Sequence, residues 1–141
     1  MKLTQSNFNT ILKKNFIFEK KPKIAVAVSG GPDSIALVFL LSQWIKKNNG
    51  LLFALVVDHK LRIESQQESK NVKKYLSANK INCKILKVKD NLIIKKTMNE
   101  ARQNRYNLLF NFCKKNNIFH LFLGHQKEDN IETFLLRKIA G

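Results

Sequence analysis

The chain has 141 residues, 44% of them hydrophobic, and 26 Lys and Arg against 10 Asp and Glu, for a net charge of +16. That length suits one domain with a real core, and the charge predicts salt-sensitive attraction to polyanions, although an AT-rich coding sequence would also produce the excess of Lys, Asn and Ile. No run of about 18 apolar residues offers a membrane span, the polar-broken N-terminus is not a signal peptide, and two cysteines without a Cys-x-x-Cys spacing, Cys83 and Cys113, point to a reduced, cytoplasmic protein.

Leu3, Phe8, Ile11, Leu12 and Phe16 recur near a helical period, so residues 3–18 are predicted as a short amphipathic helix, with Pro22 preventing its continuation. Residues 23–28, Lys-Ile-Ala-Val-Ala-Val, read as a buried strand, and 33–48 as a helix that ends at Asn48-Asn49-Gly50. Trp44, at helical spacing from Leu40 and Leu41, belongs to the core. A second buried strand covers 51–57 and closes on Asp58-His59. Residues 64–79 are a helix with Val72, Tyr75 and Leu76 on one side, and 82–89 a third strand. Residues 90–97 are a connection. A helix over 100–117 turns Ala101, Tyr106, Leu109, Phe110 and Cys113 inward. Residues 118–123 form a fourth strand, with His120 as a core histidine, and 129–139 a last helix. Strands alternating with helices argue an α/β domain: a doubly wound parallel sheet with helices on both faces. Ligands of such sheets bind at the carboxyl ends of the strands, near the switch in strand order. Three polar clusters fall there: 29–34, 58–59 and 124–129.

The first cluster is the most informative. Ser29-Gly30-Gly31-Pro32-Asp33-Ser34 joins a buried strand to a helix N-terminus. Free N–H groups and the helix dipole make such a junction an anion site. Gly30 and Gly31 let the backbone approach phosphate, and Ser29 and Ser34 supply hydroxyl donors. The carboxylate of Asp33 would repel phosphate unless a cation lay between them, which makes it a candidate Mg²⁺ ligand. The loop is neither a Walker motif nor Gly-x-Gly-x-x-Gly. It resembles the PP-loop of the ATP pyrophosphatases, which cleave ATP between its α and β phosphates.

Three further blocks resemble the tRNA(Ile)-lysidine synthase family. Residues 57–65, Val-Asp-His-Lys-Leu-Arg-Ile-Glu-Ser, match its Val-Asp-His-x-Leu-Arg-x-x-Ser segment. Residues 101–106, with Ala101, Arg102, Arg105 and Tyr106, match the end of its Glu-x-x-Ala-Arg-x-x-Arg-Tyr segment. Residues 124–137 resemble its Ala-His-His-x-Asp-Asp-x-x-Glu-Thr-x-Leu-Leu-Arg stretch, with Gln126 and Glu128 as departures that keep polarity. Four blocks in the right order cover nearly the whole chain.

The resemblance implies a reaction: ATP adenylates C2 of the wobble cytidine of a CAU-anticodon tRNA(Ile), and free L-lysine then displaces AMP. ATP would lie on residues 29–34, with Asp58 and His59 near the adenine or ribose. The alternative is that Asp58 and His59 simply end the strand, with Asp58 capping the next element. Asp33, His125, Asp129, Arg102 and Arg105 are the candidate catalytic residues. Asp33 would act with Mg²⁺, and His125 and Asp129, one helical turn apart, would serve the base and the amine. Arg102 and Arg105, three apart, suit bidentate phosphate contacts; surface charge is the alternative for them. The resemblance makes a homodimer plausible. It also predicts a Gly-rich segment after Arg137 and further tRNA-gripping domains. The chain stops at Gly141, so residues 1–141 are read as a PP-loop domain truncated at its C-terminal end. A non-catalytic remnant that binds ATP or RNA is the rival from another class. A tRNA thiolase would need paired cysteines, and a small-molecule amide synthetase leaves the 57–65 and 124–137 blocks unused.

Overall fold

The computed structural model describes residues 4–28, 32–58, 63–87, 98–124 and 131–135. Helix α1 (Gln5–Asn15) is followed by β1 (Lys23–Ala27), α2 (Pro32–Lys47), β2 (Leu51–Asp58), α3 (Ile63–Ala78), β3 (Asn82–Lys87), α4 (Met98–Lys115), β4 (His120–Gly124) and β5 (Ile131–Leu135). The strands form one sheet in the order β3-β2-β1-β4-β5. β1, β2, β3 and β4 are mutually parallel, with Ala25 opposite Phe53 and Leu121. The chain winds outward from β1 to β3, then crosses back to place β4 on the other side of β1.

That crossing sorts the helices onto two faces. Right-handed crossovers β1–α2–β2 and β2–α3–β3 run in one direction and put both helices on one face, whereas α4 runs back over the other. The side chains follow. Ile24, Val26, Ala54, Val56 and Phe122 point toward Phe8, Leu41, Trp44 and Leu76. Their alternates Ala25, Ala27, Leu55, Leu121 and Leu123 point toward Leu109 and Cys113. Strands buried on both faces need apolar residues at nearly every position, which is how β1 reads. The two cysteines are free and lie in different cores, Cys83 on the α2–α3 face and Cys113 on the α4 face. Burial pushes the Cys83 thiol up to about 11 and the Cys113 thiol to about 12, so neither is a reactive thiolate near neutral pH.

α2, α3 and α4 stop in the same way, one turn before the next strand. Gly50, Ile81 and Ile118 donate their N–H to the carbonyls of Ile45, Leu76 and Cys113 at 2.9–3.1 Å. Asn49, Lys80 and Asn117 precede them with φ of 54°, 64° and 56°. This is the Schellman closure, with Asn or Lys in the left-handed position that glycine most often takes. Gly50 is required for a different reason. A Cβ there would lie 2.1 Å from the Pro22 carbonyl oxygen, which accepts a hydrogen bond from Leu51 N–H.

Two elements depart from expectation. α1 starts on a Thr4 cap, whose hydroxyl accepts from Asn7 N–H at 3.1 Å, and ends at Asn15, before residue 18. Residues 16–22 instead form a strap that carries aromatic rings to the sheet. Phe16 meets Phe122 at 5.9 Å, and Phe18 lies 4.5 Å from both Trp44 and His120. Trp44 and His120 are buried as expected.

The larger correction concerns the last element. Over Ile131–Leu135 the chain is a strand antiparallel to β4, with Phe122 opposite Thr133, not part of a helix from 129 to 139. Ile131, Phe134 and Leu135 have helical spacing, but β4 would otherwise present an edge of unpaired backbone groups. β-branched Ile131 and Thr133, together with Phe134, suit the strand that covers that edge. The sheet is therefore parallel over four strands with an antiparallel fifth.

Candidate active site

The reversal of strand order lies between β1 and β4, whose flanking helices α2 and α4 leave on opposite faces. At such a switch point the two connections diverge and open a crevice at the carboxyl ends of the strands. The chain leaves β1 at Ala27 and enters α2 at Pro32. Pro is well placed at a first helical position, where its fixed φ fits and its missing N–H costs nothing. Asp33 is the second residue of α2 and Ser34 the third. Ser34 is buried at 2% exposure and is engaged with a neighbour. The first turn of α2 thus lies at the switch point, where the positive end of a helix dipole favours an anion.

Asp58 is the last residue of β2, next to β1 on the carboxyl edge, with its Cα level with that of Lys87 in β3. It is 2% exposed and engaged with neighbours. A buried carboxylate at this edge is held by partners.

α4 also starts on this side. Arg102 and Arg105 occupy its first two turns. Arg102 is exposed, donates from Nη2 to the Tyr106 hydroxyl at 3.2 Å and stands 5.4 Å from the centre of that ring. Tyr106 stacks on Phe110 with centroids 5.9 Å apart and planes 14° from parallel. Arg105 is half-buried. Burial first, and then Arg102, pull its pKa below the usual arginine value, while Tyr106 acts in the other sense. Arg105 makes no ion pair with a described carboxylate. A guanidinium in that setting is a site for an incoming anion. Periodicity puts Tyr106 on the inner face of α4; the i to i+4 spacing of Arg102 and Tyr106 is the sign in the sequence of their contact.

The candidate residues thus divide. The structure brings Pro32, Asp33 and Ser34 to the switch point, and places Asp58, Arg102 and Arg105 at carboxyl-edge elements. Ser29, Gly30, Gly31, His59, His125 and Asp129 lie outside the described residues. Among the described residues no group of three His, Cys, Asp or Glu side chains gathers to hold a metal ion.

A family profile described as a PP-loop domain matches residues 1–141. The chain belongs to the PP-loop family. Its relatives include tRNA(Ile)-lysidine synthases. That of Orientia tsutsugamushi (strain Boryong) is 40% identical over 128 residues, covering 88% of this chain and 28% of the relative. That of Wolbachia pipientis wMel is 45% identical over 126 residues, 84% of this chain and 28% of the relative. The Rickettsia bellii (strain OSU 85-389) protein is 41% identical over 119 residues, 82% and 27%. The chain thus spans about 28% of the length of the curated relatives it matches. Among solved structures, the U34-tRNA thiolase NcsA from Methanococcus maripaludis, which has a [4Fe-4S] cluster, superposes with a TM-score of 0.71 at 20% identity. That match covers 85% of this chain and 45% of the thiolase. NMN synthetase from Francisella tularensis gives 0.58 at 11%, covering 85% and 54%. These two likenesses bear on the fold alone. The two cysteines of this chain, separated by the sheet, cannot jointly hold a cluster.

Proposed function

We propose that this chain carries the ATP-using half of a tRNA(Ile)-lysidine synthase reaction. The observation that carries the reading is the α2 N-terminus at the β1/β4 switch point, preceded in sequence by Ser29-Gly30-Gly31. The choice of tRNA and lysine as substrates rests on the names of the relatives. In this reading the 29–34 segment and the α2 N-terminus grip the pyrophosphate portion of ATP, and Asp58 with His59 faces the nucleoside. The wobble cytidine of a CAU-anticodon tRNA(Ile) attacks the α phosphate through its C2 oxygen, and pyrophosphate leaves. The amine of free L-lysine then attacks C2 and AMP departs, forming lysidine.

Transfer at the α phosphate needs positioning and charge neutralisation more than covalent catalysis. Arg105, half-buried and without a described carboxylate, offers a fixed positive charge to a phosphate, and Arg102 extends that charge outward along α4. Asp33 is the residue assigned to Mg²⁺, which supplies charge neutralisation at the leaving group. The support is its place in the first turn of α2, where a lone carboxylate beside polyphosphate would be repulsive. His125 and Asp129 are assigned to orienting the base and the amine. A cytoplasmic homodimer is the expected setting.

The test is pyrophosphate release from ATP and Mg²⁺ with free lysine and an unmodified CAU-anticodon tRNA(Ile), compared with Asp33→Ala. Release that requires tRNA and disappears in the variant supports the reading. ATP binding without release assigns this chain to the non-catalytic alternative.

A further inference from the structure

The fold has a second charged region, at the pole opposite the candidate active site. Because β1–β4 are parallel, α2, α3 and α4 each return their C-terminus to the same edge of the sheet, and lysines collect there. Lys46 and Lys47 end α2, Lys114 and Lys115 end α4, Lys80 follows α3, and Lys21 precedes β1. All six are exposed. Lys23 Nζ donates to the Asn116 carbonyl at 3.5 Å, so the end of α4 meets the start of β1 at this pole. Of the described carboxylates only Glu19 belongs here. Asp58, Glu68 and Glu100 sit at the end of β2 and in the N-terminal halves of α3 and α4.

Compensation of helix dipoles accounts for a lysine in a last turn. It does not account for Lys21, six residues past α1. Nor does it explain why Lys21 and Lys80 occupy left-handed backbone, at φ of 51° and 64°, where glycine would cost nothing. The lysines come from both faces and the middle of a helix–sheet–helix sandwich, so the charge spreads over layers about 10 Å apart. That is too broad for one small anion and matches successive phosphates of a polynucleotide.

We infer that this lysine pole is a docking surface for an RNA phosphate backbone, distinct from the nucleotide crevice. The inference rests on the proposed tRNA substrate and adds a second place at which that RNA is held.

The experiment is fluorescence-anisotropy binding of an unmodified CAU-anticodon tRNA(Ile) transcript to the full chain across a salt series. The pole variant carries Lys46→Gln, Lys47→Gln, Lys114→Gln and Lys115→Gln. A control variant removes as much charge elsewhere, with Lys70→Gln, Lys73→Gln, Lys74→Gln and Lys84→Gln. Anionic vesicles of phosphatidylserine and phosphatidylcholine serve as a competing probe. The pole variant is expected to bind roughly 10²-fold more weakly at about 0.1 M salt and to lose about 3 from the log–log salt slope; the control should change little. Equal losses in both variants overturn the inference, because binding then follows net charge. So does an unchanged pole variant, absence of tRNA binding by the parent chain, or a pole-dependent loss confined to vesicles. Lysidine formation by the parent with a pole variant of unchanged affinity sinks this inference alone. Pole-dependent tRNA binding without any pyrophosphate release sinks the proposed reaction alone.

Discussion

Replacing Arg105 by Met separates what this side chain does for the fold from what it does for a ligand. Its guanidinium is half-buried near the like charge of Arg102 and makes no ion pair with a described carboxylate. Met retains an unbranched stem and a high helix propensity, so the packing of α4 is largely kept while the charge is removed. Exchanging fully buried ionic groups for apolar ones is often neutral or stabilising by about 1–4 kcal/mol. Arg105 still touches solvent, which screens its penalty, so the expected gain is about 0–1 kcal/mol. The assay is urea unfolding followed through Trp44, the one tryptophan, which is buried with its ring 4.5 Å from Phe18. Alongside it, tRNA-dependent pyrophosphate release should fall by about 10²–10³-fold, as when a charge-stabilising donor is removed. A loss of more than about 2 kcal/mol would refute the reasoning, because Arg105 would then be a strut of the fold.

Three other perturbations have outcomes fixed by local geometry. Gly50→Ala places a Cβ 2.1 Å from the Pro22 oxygen and 2.8 Å from Ile45 Cδ1, so the Pro22–Leu51 hydrogen bond must give way. The expected cost is about 2–4 kcal/mol in urea unfolding, and a change under about 0.5 would contradict the close approach. Lys80→Gly relieves a left-handed residue at φ 64° and should stabilise by about 0.5–1 kcal/mol, read as a higher urea midpoint. His120 is buried with its Nδ1 unpartnered, and burial lowers its pKa from 6.5 against the opposing pull of Glu19 and the Ile17 backbone. Unfolded, it protonates near 6.5; folded, only below that. Stability is therefore complete above 6.5 and declines as pH falls below it, by up to about 1.4 kcal/mol per pH unit until the folded pKa is passed. His120→Phe should flatten that part of the urea-midpoint profile, and an unaltered profile would assign the acid sensitivity elsewhere.

Much of this protein was legible in its sequence because its signals are local. Runs such as Lys23–Ala27 and Leu51–Asp58 are apolar at nearly every position, which only a strand covered on both faces requires. The run at 29–34 signals a helix start through local residues alone, and α2 does begin at Pro32. The end of α1 and the strand at Ile131–Leu135 were not legible, since both depend on partners distant in sequence. Phe16 and Phe18 leave helical backbone because Phe122 and His120 on the sheet and Trp44 on α2 offer them ring contacts. Ile131–Leu135 is extended because the open edge of β4 can pair with it, although its apolar spacing also suits a helix.

Strand order belongs to the tertiary structure alone. Local patterns say that strands and helices alternate, but the same alternation is compatible with several orders. Only the return of the chain across β1 to β4 creates the switch point that the α2 N-terminus faces, and puts α4 with Arg102 and Arg105 over the opposite face from α2. The same parallel winding brings lysines far apart in sequence to one pole. Residue types determine which chemistry is available; long-range pairing, whose free energy is cooperative and non-local, determines which of those residues meet.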